Sequence, residues 1–280
     1  MSYDKTMNFL IFDGNPNGLI MGELSNWNGR VYKISRTALP SFAHRPDCQN
    51  TGVYFLFGRD QDMTETVYVG EAEKMLSRLK QHINDCEEWN ECVAVISKDD
   101  HLNKAHVKHL EYDFYQQATQ ARRYTVTNSI IPMCSSVSEY DQAMLSEFID
   151  YTKMLVSTLG FKPFEQITII SRDSHNYAIK GSRGADARGI SVADGFTVLK
   201  GSKIAPNVTP SFSEALKKIR QRLKDTGVIN EDGQFTRDYL FSSPSTAASI
   251  VRGASTNGRI AWKNQQGQTL AQVEVMEVDG

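Results

Sequence analysis

Two short runs rich in β-branched and aromatic residues, residues 52–57 (GVYFLF) and 66–70 (TVYVG), stand on either side of the polar segment GRDQDMTE. Runs of that length and composition, separated by a polar connector, read as an antiparallel hairpin with a long loop. The next thirteen residues, EAEKMLSRLKQHI, change period. Ala72, Met75, Leu76, Leu79 and Ile83 recur at spacings of three and four, which makes one apolar stripe of a helix. Lys74, Arg78 and His82, at i, i+4 and i+8, share a second face. CVAVIS (92–97) then reads as a buried strand and KAHVKHLEYDFYQQATQA (104–121) as a helix with Glu111 at its middle. Asp100, in the turn before it, is a candidate N-cap. The order over 52–121 is therefore β-β-α-β-α.

Around this unit the texture varies. Residues 8–35 carry apolar runs broken by DGNPNG and NWNG, which reads as a β meander. Pro40 and Pro46 interrupt the connector that follows. RRYTVTNS is a short extended exit. Residues 138–160 read as a helix with Ser138 as N-cap and Gly160 at its end. After Ile167, short strands (ITIIS, GADARGIS, GFTVLKGS) alternate with glycines. SFSEALKKIRQRLKDTG then reads as an amphipathic helix. Ser243 or Ser245 caps a small alanine-rich helix, with Pro244 suited to its first turn. NGRIAWKNQQGQTL reads as a hairpin turning at Asn257-Gly258 and Gly267.

Net charge is −2, so no global basic field is present and a nucleic-acid partner has to meet local patches. The apolar runs fall well short of the roughly 20 residues that cross a bilayer. The N-terminus lacks the pattern of a signal peptide. Cys48, Cys86, Cys92 and Cys134 form no CxxC pair and are expected as free thiols in a cytoplasmic protein.

Glu111 lies on a helix that otherwise faces the core with aromatic and aliphatic groups. A buried carboxylate needs a partner, or its pKa shifts. A hard cation such as Mg²⁺ would resolve that cost together with waters and a phosphate. Arg78 offers a two-pronged contact to a phosphate oxygen. A tyrosine hydroxyl, with a pKa near 10 lowered by its surroundings, would then serve as general base. Such a set would hydrolyse a phosphodiester by in-line attack.

Gly52-Val53-Tyr54, Tyr68-Val69-Gly70, Arg78, His82, Glu111 and Asn128 occur in an order that resembles the GIY-YIG nuclease family over about residues 50–130. The resemblance implies a three-stranded antiparallel sheet flanked by helices. It also implies Glu111 as the metal-binding carboxylate, with Mg²⁺ or Mn²⁺ as cofactor, and Arg78 as the phosphate-stabilising arginine. Tyr54 and Tyr68 are implied as the active-site tyrosines, either of which is the base. His82 is implied in proton transfer or orientation and Asn128 in fixing the site. Lys74 and Lys80 follow as contacts to the phosphate backbone.

Residues 243–270 resemble the domain of unknown function DUF4357, and more weakly the RAMA domains of restriction-modification systems. On that likeness Trp262, Asn257 and Lys263 would form a stacking and hydrogen-bonding surface for nucleic acid. Trp262 reads equally as the anchor of a small core. Arg183, Arg188, Lys200 and Lys203, with Lys217, Lys218, Arg220, Arg222 and Lys224, form either a DNA track or a solvated face.

The expectation is an α+β protein: an N-terminal β segment (1–48), a GIY-YIG nuclease domain (49–131), a helical linker (132–165), a middle α+β region (166–232) and a DUF4357-like module (233–280). The expected function is metal-dependent endonuclease cleavage of DNA, with a tyrosine-activated water attacking a metal-held phosphate. The alternative is a non-cleaving nucleic-acid-binding or interaction module that keeps the nuclease fold as scaffold within a defence or repair complex. No membrane partner is expected, and the oligomeric state is open.

Overall fold

The computed structural model describes residues 4–60, 64–84, 89–99, 101–165, 176–181, 183–192, 195–210 and 212–279. Its contacts gather into two compact units, Met1–Gln166 and Ile167–Gly280.

The first unit is built on a seven-stranded sheet. Its strands are β1 (Met7–Ile11), β2 (Leu19–Leu24), β3 (Gly29–Ser35), β4 (Gly52–Arg59), β5 (Glu65–Ala72), β6 (Glu91–Ser97) and β7 (Thr125–Val126), in the order β1-β2-β3-β6-β4-β5-β7. All neighbours are antiparallel except β5 and β7. The expected three-stranded sheet is its β6-β4-β5 part. The N-terminal meander does not stand apart from it: β3 pairs with β6 along seven residues, from Gly29 opposite Ser97 to Ser35 opposite Glu91.

Alternation along β4 decides the layers. Val53, Phe55 and Phe57 face one side, with Val67 and Val69 of β5 and Val93 and Val95 of β6. That side is covered by α3 (Lys104–Ala121) through Val107, Leu110 and Phe114, and by α4 (Glu139–Thr158) through Leu145, Phe148 and Leu155. Tyr54 and Leu56 face the other side, which packs on α1 (Leu39–Ala43) through Leu39 and Phe42 and on α2 (Met75–Asn84) through Met75, Leu76 and Leu79. Both faces being covered explains why β4 reads as a continuous apolar run.

Two local expectations are corrected here. The helix expected from Glu71 begins at Met75, because Glu71 and Ala72 are the last residues of β5. Helix α3 is capped by Asn103, whose Oδ1 accepts from the backbone N–H of Ala105 and His106, while His106 Nδ1 accepts from the Asn103 N–H. Asp100, the expected cap, lies outside the described residues, as do the expected strand ITIIS and Cys86. Cys48, Cys92 and Cys134 are free thiols.

The second unit has a four-stranded antiparallel sheet of β8 (Asn176–Lys180), β9 (Asp186–Val192), β10 (Gly195–Val198) and β11 (Tyr239–Phe241), in the order β11-β10-β9-β8. Its helices are α5 (Glu214–Asp225), α6 (Pro244–Arg252), α7 (Gly258–Ala261) and α8 (Leu270–Asp279). Ser243 caps α6 through the N–H of Thr246, with Pro244 in the first turn as expected. Asn257-Gly258 is not a hairpin turn. Asn257 Oδ1 accepts from Arg259 N–H and starts α7, and Lys263 then bridges Ala178 and Thr269.

Trp262 is fully buried, tilted against Phe196 with ring centroids 4.4 Å apart, and its Nε1–H donates to Pro244 O at 3.0 Å. The stacking surface expected at Trp262 is therefore absent: both ring faces are spent inside the core. Trp262→Ala should cost roughly 3–5 kcal/mol. In urea denaturation a transition of the second unit should move to lower denaturant while that of the first stays in place. An unmoved transition would contradict the anchoring role.

Candidate active site at the outer edge of a hairpin strand

Tyr54 and Gly70 are direct cross-strand partners. With no side chain at Gly70, the Tyr54 ring lies over it: a Cβ built there would meet Tyr54 Cζ and Oη at 2.3 Å. This close approach brings the Tyr54 hydroxyl to α2. Arg78 Nε donates to Tyr54 Oη at 3.1 Å, and Tyr54 Oη lies 2.6 Å from His82 Nε2. Tyr68 stacks beside Tyr54 with centroids 6.1 Å apart and meets the His82 ring edge-on at 5.1 Å. Arg78 is also in hydrogen-bonding reach of Tyr68. Four of the expected residues thus form one cluster on the α2 side of the sheet.

Burial separates their chemistry. Tyr54 is fully buried, and that burial, with Tyr68 close by, pushes its pKa far up; Arg78 opposes only part of the rise. Tyr54 therefore keeps its proton at neutral pH. Tyr68 is half-buried and lines an open cavity of about 390 Å³ with Leu56, Thr66, Trp89 and Thr127 among its walls. His82 is 2% exposed, so it is not on a solvated helix face.

Glu111 comes from α3, on the opposite side of the sheet, and the two halves of the site meet at the outer edge of β5. That edge is completed by three different devices. At Val67 it pairs with β7, and Thr127 N–H donates to Val67 O at 3.0 Å. At Val69, the Asn128 side chain replaces a strand: Oδ1 accepts from Val69 N–H at 3.0 Å and Nδ2 donates to Val69 O at 2.7 Å. At Glu71, the backbone N–H donates to the Glu111 carboxylate. The residues at 67, 69 and 71 point their backbone the same way because the strand period is two. Asn128 thus fixes the strand that carries Tyr68, rather than touching the cluster itself.

Burial pushes the Glu111 carboxyl up to about 7, and the neighbouring Glu71 carboxylate adds to the rise. The Glu71 N–H, Arg78 and Lys108 pull the other way. Glu71 was not singled out among the expected residues. The signal is present, since a carboxylate follows Tyr68-Val69-Gly70 directly, but the segment from Glu71 also fits the start of a helix. Lys104 Nζ lies 3.6 Å from Glu71 and 2.7 Å from Glu73. Among the described residues no group of three His, Cys, Asp or Glu converges on one point. A cation here would rest on Glu111 and Glu71. Two carboxylates, one held against its preferred charge, suit the hard-oxygen, water-completed coordination of Mg²⁺.

Lys74 and Lys80 are exposed. Lys74 O accepts the N–H of Arg78, which places it at the start of α2. Lys80 lies on a different face of the helix from Arg78 and near Cys48.

Residues 177–274 match the family described as Domain of unknown function (DUF4357). The match begins in β8 and takes in the middle segment as well as the last module. No curated protein and no solved structure matches the chain.

Proposed function

We propose that the first unit is a metal-dependent nuclease that hydrolyses phosphodiester bonds, with DNA as substrate. The observation that carries this reading is the convergence at the edge of β5: the hydrogen-bonded Tyr54–Arg78–His82 cluster beside a Glu111 carboxyl held up to about 7 next to Glu71. A bound Mg²⁺ would hold the scissile phosphate and stabilise the charge that develops on it.

Arg78 is half-buried and anchored by Nε to Tyr54 and by Nη1 to Gln81 at 2.9 Å. Held from two sides, it offers its remaining donors to a phosphate at little conformational cost. Tyr54 keeps its proton and serves as a post for Arg78 and His82. Tyr68, half-buried and lining an open cavity, would be the tyrosine that takes a proton from the attacking water. Glu111 and Glu71 would hold the cation. Asn128 keeps Tyr68 and Glu71 in register by pairing with the strand between them.

The test is plasmid nicking with Mg²⁺ or Mn²⁺ against a chelated control. Tyr68→Phe should lower the rate by about 10²–10⁴ with the melting temperature kept. Tyr54→Phe should cost roughly 1–2 kcal/mol of stability through its lost hydrogen bonds, with a smaller effect on rate. A larger rate loss in Tyr54→Phe than in Tyr68→Phe would reverse the assignment of the base. No cleavage by wild-type protein on any plasmid or single-stranded DNA would favour the non-cleaving module.

A further inference from the structure

In the DUF4357 domain, two cavities of about 790 and 420 Å³ share the bridged pair Ala178 and Lys263 together with Lys180, Asn264 and Gln265. Arg252 lines the larger and Arg188 the smaller. The other polar walls are uncharged side chains such as Ser255, Thr256 and Asn257. Among the described residues no Asp or Glu lines either cavity. The chain as a whole has 33 acidic and 31 basic residues, so a double concavity with four cations and no carboxylate does not follow from composition.

Among the described residues no carboxylate is ion-paired with any of the four cations. Some basic residues elsewhere are neutralised by a carboxylate: Lys33 by Glu91, Lys104 by Glu73, Lys217 by Glu214, Arg259 by Glu274. Lys180, Arg188, Arg252 and Lys263 make no ion pair among the described residues. Lys180, Arg188 and Lys263 are exposed at the rim. Four like charges around one hollow repel one another, and an anionic ligand removes that repulsion.

We propose that this double concavity binds the phosphodiester backbone of single-stranded nucleic acid, with Lys180, Arg188, Arg252 and Lys263 holding successive phosphates. A concave, two-lobed surface admits a single chain. A flexible strand can follow both lobes, whereas a planar layer of lipid headgroups meets only the rim. The aromatic side chains nearby are spent: Trp262 is fully buried and Tyr177 is 2% exposed. With no stacking platform, binding depends on phosphates and is indifferent to base sequence. The inference stands on the second unit alone and holds whether or not the first unit cleaves.

The experiment uses the full chain in EDTA, where hydrolysis is switched off, and reads fluorescence anisotropy of a labelled 20-nucleotide single strand across a salt series. Lys180→Ser/Lys263→Ser should weaken binding roughly tenfold or more at low salt and reduce the slope of log K against log salt by about 1.4. Both side chains are exposed, so the variant should melt with wild type. Lys218→Ser/Lys224→Ser, exposed cations of α5 outside the cavities, should leave slope and affinity unchanged. Unaltered binding in the cavity variant, or an equal loss in the α5 variant, would overturn the proposal. So would competition by inorganic phosphate as effective as by the oligonucleotide. Polyglutamate or anionic vesicles binding as tightly, with the same loss in the cavity variant, would overturn it in favour of a different partner. Because the readout is binding without metal, its failure is separable from a failure to cleave.

Discussion

Glu111→Gln should abolish metal-dependent nicking, by about 10³-fold or more, and yet stabilise the metal-free protein at alkaline pH. The first effect follows from losing a metal-holding charge at the site. The second follows from the carboxyl's environment. Its pKa in the folded chain is about 7, above the roughly 4.3 of an unfolded chain. The folded state therefore binds the proton more tightly, so this group's contribution is most favourable below the unfolded value. Stability is lost as pH rises from about 4.5 through 7. Glutamine keeps the shape without the charge and removes that loss. The group is half-buried, and solvent screening discounts the shift, which leaves an expected gain on the order of 1 kcal/mol at pH 8 and none at pH 4. Thermal melts in EDTA at the two pH values, with and without added Mg²⁺, measure it. Wild type should be stabilised by Mg²⁺ and the variant should not. Full nicking activity in Glu111→Gln would sink the mechanism, and an equal melting difference at both pH values would sink the electrostatic account.

Gly70→Ala should be nearly as damaging, although Gly70 carries no chemistry. The added methyl would sit 2.3 Å from the Tyr54 ring and hydroxyl. The ring is fully buried and has no alternative space, so the clash moves either Tyr54 or the β4–β5 pairing. Either movement breaks the contacts of Tyr54 Oη to Arg78 and His82. A stability loss of roughly 2–4 kcal/mol is expected, with nicking reduced to near the level of Tyr68→Phe. Chemical denaturation and the plasmid assay read the two effects. A Gly70→Ala protein with wild-type stability and rate would show that the ring approach is not required.

Several elements were legible because their signals are local. The runs at 52–57 and 66–70, the caps Ser138 and Ser243, and the helix at 104–121 all appear as read. Misreadings arose where one residue type serves two ends. Asn257-Gly258 suits a hairpin turn or a helix start, and the burial of Trp262 five residues on selects the helix. Asn128 was legible as part of the site, but its role was not. It pairs with Val69 of β5, 59 positions earlier, as a substitute for a missing strand. Glu71 is hidden by an apparent helical stripe that begins three residues too early, because Ala72 fits the helix and the strand equally well.

The sequence by itself determined the order of strands and helices in the first unit, the two tyrosines one hairpin apart, and Arg78 one turn before His82. Those are short-range relations, set by period, turn chemistry and spacing. Only the tertiary structure decided that β3 joins β6 in a single sheet, and that Glu111 meets Glu71 and Arg78 at the edge of β5 from the other side of the sheet. The same long-range packing turns Trp262 inward and sets Lys180, Arg188, Arg252 and Lys263 around two adjoining cavities that no described Asp or Glu lines. Each of these depends on partners far apart in the chain, whose meeting is selected by packing of the whole unit rather than by any local preference.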